Sequence, residues 1–152
     1  MVNKVLNFKV SGRNEGFNLS LDSRSETIKN QTDLQIKKAE ELVKNNSEIY
    51  VVKKMIATLR MMGDVMSRAQ TYMPEAQAML DEAKKLNPDN PRVYVLEAQD
   101  KFYTPEQFGG SKEEAKVLFE KAQKLYETFK PETSIHPGWG KNQVAYFLSQ
   151  YK

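Results

Sequence analysis

Apolar residues return every three or four positions along most of this chain, and that spacing predicts helices. From about Ser25, the residues Ile28, Thr32, Ile36, Ala39 and Val43 form one stripe. Asn45-Asn46-Ser47 then ends that helix and caps the next, because Asn tolerates the left-handed conformation and Ser accepts free N–H groups. A second helix is expected from about Glu48 to Arg68, with two stripes. One holds Ile49, Val52, Ile56, Leu59, Gly63 and Met66; the other holds Val51, Met55, Met62 and Val65. A helix apolar on two sides must be covered on two sides. Thr71 to Pro74 reads as a break, with Pro74 in the first turn of a third helix ending near Asn87.

Asn87-Pro88-Asp89-Asn90-Pro91 forbids continuation, and Asn90 can cap a fourth helix that starts with Pro91 and ends near Tyr103. Thr104 to Gln107 suggests a short helical turn, and Phe108-Gly109-Gly110 a tight bend needing positive φ. Ser111-Lys112-Glu113-Glu114 fits a capping box opening a fifth helix to about Lys130. Pro131 to Gly138 reads as an extended connector, and a last helix covers Trp139 to Gln150. The expected fold is all-α, with about six helices.

The helices repeat. Ala76-x3-Leu80-x2-Ala83 aligns with Ala115-x3-Phe119-x2-Ala122, and Thr32, Ile36, Ala39 and Leu42 form a fainter copy. A step of 44 residues carries Ala39 to Ala83, Leu42 to Leu86, Asn46 to Asn90 and Tyr50 to Tyr94. A fixed internal spacing with loops of variable length means stacked copies of one helical unit. Residues 1–24 are weaker: Leu6, Phe8 and Val10 alternate with polar residues, and residues 11–16 read as a turn. The chain therefore divides into an N-terminal arm, 1–24, either loosely attached or packed on the first helix, and a helical repeat domain, 25–152.

The motif A-x3-[FL]-x2-A, followed by Asn87-Pro88 and then by Tyr94 early in the next helix, resembles the tetratricopeptide repeat. The resemblance covers about Gln31 to Lys152 and departs at Glu97 and Lys101, where the family has Leu and an aromatic. It implies a superhelix of stacked antiparallel helix hairpins with a concave groove. Asn90-Pro91-Arg92-Val93-Tyr94, Phe108-Gly109-Gly110-Ser111-Lys112 and His136-Pro137-Gly138-Trp139-Gly140 resemble a narrower group of exported bacterial repeat proteins. That likeness implies a periplasmic or otherwise exported location, although Met1 to Val10 has no basic segment followed by an apolar one.

Composition removes several functions. With 23 basic and 20 acidic residues the net charge is +3, too mild and too interleaved for a nucleic-acid footprint. No apolar run approaches the ~20 residues of a membrane span. There is no cysteine, hence no disulfide, thiolate nucleophile or thiolate metal site. His136 is the only histidine and has no acidic residue or second imidazole at ligand spacing. Gly109-Gly110-Ser111-Lys112 lacks the full phosphate-loop spacing and reads as a cap. No catalytic residue, cofactor or metal is expected.

Arg60, Asp64 and Arg68 recur every four residues and can be a surface ion-pair ladder or the polar rim of a groove, with Gln99 and Tyr103 beside it. Met55, Met61, Met62, Met66, Met73 and Met79 fit core packing, Met61 least, since it lies off both stripes. Trp139 suits a plug beneath the last repeat. The leading expectation is a non-enzymatic scaffold that binds a protein or peptide in its groove, with Arg60, Asp64, Arg68, Gln99 and Tyr103 contacting the partner. The alternative is a small-molecule or solute binder associated with a transport system, marked by a closed apolar pocket among Met62, Met66, Tyr94 and Phe102. Neither involves nucleic acid or membrane insertion, and the oligomeric state stays open.

Overall fold

The computed structural model describes residues 17–134 and 136–151, with side chains described from residue 30 onward. Among the described residues six α-helices follow one another: α1 Phe17–Leu42, α2 Ser47–Met62, α3 Val65–Leu86, α4 Pro91–Tyr103, α5 Lys112–Thr128 and α6 Lys141–Ser149. A 3-10 turn, Glu106–Phe108, lies between α4 and α5. No strand occurs among the described residues, so the fold is all-α as expected. The chain divides into two compact units, one ending at Lys38 and one running Ala39–Lys152. Because α1 begins at Phe17, the expected boundary at residues 24/25 falls inside a helix. The alternation at Leu6, Phe8 and Val10 and the turn at 11–16 lie outside the described residues.

Caps set most helix starts. Asn45 adopts φ 59°, and Asn46 caps α2 by accepting the Glu48 N–H at 2.8 Å. The cap is thus Asn46, not Ser47, whose hydroxyl is buried and donates to the Ala83 carbonyl at 2.8 Å. Asn90 caps α4 through the Arg92 N–H at 3.0 Å, with Pro91 in the first helical position. Ser111 caps α5 through the Glu114 N–H at 3.1 Å. Gly109 takes the left-handed φ of 89°, and a side chain on Gly110 would strike the Thr104 carbonyl. The Gly-Gly-Ser-Lys segment is therefore a bend and a cap.

The expected second helix is two helices. It stops at Met62, because Asp64 turns extended and caps α3 with its carboxylate, accepting from the Ser67 N–H and hydroxyl. The expected break at Thr71 to Pro74 is absent: α3 runs through it with Pro74 inside. Pro74 sits on the exposed side, where its missing N–H leaves the unpaired carbonyl to solvent.

The alanine seam is the core of the second unit. Val51, Leu80, Ala83, Val93 and Leu96 join α2, α3 and α4. Tyr94, Val95, Ala98, Ala115, Phe119, Ala122, Tyr126, Val144 and Phe147 join α4, α5 and α6. Leu80 and Phe119, each between two buried alanines, are 1% and 0% exposed, and Phe119 stacks on Phe147 at 4.6 Å. Small residues let helices approach while the bulky one fills the gap. The faint first copy does not share this seam, since Leu42 is 84% exposed. Trp139 packs against both clusters, as a plug would.

Candidate functional site

Helices α2 and α4 lie side by side in register, tied by polar rungs. Asn90 Nδ2 donates to Ser47 Oγ at 3.0 Å and to Glu48 at 2.6 Å. Arg92 pairs with Glu48 at 2.9 Å, and Lys54 with Asp100 at 2.6 Å. These partners are 43 to 46 residues apart, and the Lys54–Asp100 rung sets this stretch of α2 beside the C-terminal half of α4, which holds Gln99 and Tyr103.

On that face the second expected covering of α2 is missing among the described residues. Of the two stripes only Val51 is buried. Leu59 and Met62 are 66% and 65% exposed, and Val52 and Met55 are also open. Across from them Gln99 is half-buried, and Tyr103 is exposed with its ring edge-on to Phe102 and Phe147. Met55, Leu59 and Met62 thus leave a strip of thioether and aliphatic groups open on α2. The methionines are not core: none of the six is buried, and Met66 is 94% exposed. The core between α2 and α3 is filled by Val51, Ala57 and Leu80 instead; Met55, Met62, Met66 and Met73 are exposed, and Met61 and Met79 half-buried.

The five expected partner-binding residues do not form one row. Arg60 closes α2, half-buried and 3.7 Å from Glu75. Asp64 is the α3 cap, and its hydrogen bonds from Ser67 hold its carboxyl below the usual carboxylate range. Arg68 belongs to the first turn of α3 and donates from Nη1 to the Arg60 carbonyl at 3.3 Å. The four-residue spacing thus crosses a corner, and the ladder along one helix does not exist. Gln99 and Tyr103 do stand together on the α4 face. The expected closed pocket is absent too. Tyr94 is buried with its hydroxyl donating to the Pro88 carbonyl, Phe102 packs on Phe147, and Met62 and Met66 are exposed on another helix pair.

At the opposite end of α4 a polar cluster escaped the sequence reading. Arg92 is fully buried between the rings of Phe129, at 4.9 Å, and Trp139, at 5.8 Å. Its Nε and Nη2 are held by Glu48, Nη2 also meets His136 Nε2 at 2.8 Å, and Nη1 has no acceptor among the described residues. Tyr126 donates to the Trp139 carbonyl at 2.8 Å. Burial raises the Tyr126 phenol above its ordinary value, against the pull of the Arg92 cation. A raised folded-state value adds stability that is present below the ordinary phenol range and is lost as pH rises through the folded value. Unfolding midpoints should therefore fall above pH ~10, and Tyr126→Phe should flatten that fall; an identical alkaline decline in both proteins would refute the assignment. The 44-residue step pairing Glu48 with Arg92 was the available signal.

Two cavities flank these elements. One of about 630 Å³ is lined by Asn46, Glu48, Asp89, Glu132 and His136 with Leu125 and Phe129. Its carboxylates and amides would be stranded by an apolar ligand. The other, about 360 Å³, is a cleft between Thr58, Met61 and Met73 on one side and Asp100, Lys101 and Phe108 on the other. Met61, off both stripes, lines it. Among the described residues no group of acidic and histidine side chains could hold a metal, and no helix is long and apolar enough to cross a membrane.

No family model matches the chain, and no curated protein matches it. Among solved structures it is similar to the HusA haemophore from Porphyromonas gingivalis, with 35% identity and a TM-score of 0.76. The match covers 86% of this chain, which spans 65% of the length of that one. This corrects the expectation of a protein or peptide partner, because a haemophore takes a small molecule.

Proposed function

We propose that this chain carries a flat, largely apolar macrocycle of the haem class on the strip of Met55, Leu59 and Met62, beside Gln99 and Tyr103. The likeness to a haemophore at 35% identity is the observation that supports this most. The strip adds a chemical reason. A porphyrin is apolar on both faces and acidic along one edge. Thioethers conform to an apolar plate, and an exposed tyrosine ring can stack on it. Iron ligation is not needed in this reading: His136, the only histidine, is engaged by Arg92, about 16 Å along α4 from Tyr103 at 1.5 Å per residue.

The chain acts as a carrier, not an enzyme. We extend the proposal to an exported location, testable by cell fractionation, and to a tetratricopeptide-like superhelix. The binding test is an absorbance titration with haem and with metal-free protoporphyrin IX. Both should saturate at one molecule per chain. Leu59→Gln with Met62→Gln removes about 2 kcal/mol or more of apolar contact, which weakens binding at least about tenfold. Stability should move little, because both residues are exposed. Unchanged affinity in the double variant would move the ligand elsewhere.

A further inference from the structure

We propose that Arg68 is the carboxylate-binding, and hence specificity-determining, residue of that strip: its guanidinium takes an acid group on the edge of a flat apolar ligand whose face lies on Leu59 and Met62. The inference rests on the carrier reading above and adds the ligand chemistry. The corner between α2 and α3 is built around this side chain. Gly63 leaves room for it, since a Cβ there would stand 2.8 Å from Arg68 Nη1. The Arg60 carbonyl, 3.3 Å away, holds the guanidinium at the corner, against Gly63, which follows the last residue of α2. The arginine is half-buried, so its position is held more firmly than that of a free surface cation.

Its hydrogen-bonding capacity is mostly unused. A guanidinium has five N–H groups in a fixed fork, and the Arg60 carbonyl takes one. Arg68 forms no ion pair among the described residues. Asp64 is near enough to feel its charge, but the Asp64 oxygens already accept from the Ser67 N–H and hydroxyl. By contrast Lys53 and Lys54 of α2 and Lys101 of α4 pair with Glu40, Asp100 and Glu114. Arginine suits the role because its planar fork matches a carboxylate with two parallel bonds.

The test compares protoporphyrin IX, a dicarboxylic acid, with its dimethyl ester, which has the same ring and no acid. Both are metal-free, so iron plays no part. Wild type should bind the diacid about tenfold or more tightly than the diester, a difference of about 1.4 kcal/mol. Arg68→Gln should bring the two affinities within about twofold while diester binding stays at the wild-type value; Arg68→Lys should keep part of the preference. Equal wild-type affinities, or a preference surviving in Arg68→Gln, would overturn the inference and leave the carrier reading standing. Loss of both ligands together in Arg68→Gln would also overturn it, as the sign of a residue that only holds the corner. Failure of either porphyrin to bind wild type would remove the carrier reading and this inference with it.

Discussion

Glu48→Ala should destabilise the protein by about 3–5 kcal/mol, the cost of leaving a buried charge without its partner. Arg92 is fully buried, and Glu48 is the carboxylate that neutralises it, through Nε and Nη2 together. His136 cannot substitute, because the imidazole brings no negative charge, and the rings of Phe129 and Trp139 flank the guanidinium without a charge of their own. In a chain of this size the loss corresponds to a melting temperature lower by about 6–20 °C, at about 2–4 °C per kcal/mol. Glu48→Gln should lose less, since the amide still accepts a hydrogen bond. Thermal and urea unfolding check both. An alanine variant within 1 °C of wild type would mean that water or a rearranged side chain already satisfies the arginine.

Phe119→Ala should cost a similar amount, about 3–5 kcal/mol, through a different mechanism. Phe119 is completely buried, lies between Ala115 and Ala122, and stacks almost parallel on Phe147. Alanine there opens a cavity that α4, α5 and α6 all border, and the adjacent alanines have no side-chain length with which to fill it. Phe119→Leu should recover most of the loss, because Leu80 fills the same notch one repeat earlier. Denaturant midpoints for the pair decide the matter: equal losses for Ala and Leu would show that ring stacking, not volume, carries the contact.

The fold was readable where one helix meets the next through repeated small and bulky residues. Ala76, Ala83, Ala115 and Ala122 are all buried, and the caps at Asn90 and Ser111 are where the local chemistry puts them. It was misread where two signals competed. The methionine-rich pattern from Met55 to Met66 keeps helical spacing across Gly63-Asp64, so periodicity hid a corner that Asp64 makes by capping. Pro74 looked like a helix start, yet an exposed proline can sit inside a long helix whose other face is well packed. The strip itself was visible as residues but not as a surface. Apolar side chains at helical spacing imply burial, and only the three-dimensional arrangement reveals that Leu59 and Met62 are left open. The Arg92 cluster needed a pairing across 44 residues that no local rule supplies.

The rungs between α2 and α4 divide the labour of the molecule. Adjacent hairpins are fastened by Ser47 with Asn90, Glu48 with Arg92 and Lys54 with Asp100, contacts that do not involve Leu59, Met62 or Tyr103. The frame and the open strip thus use separate sets of side chains. A lineage or a designer could rewrite the open strip while the frame that presents it kept its spacing.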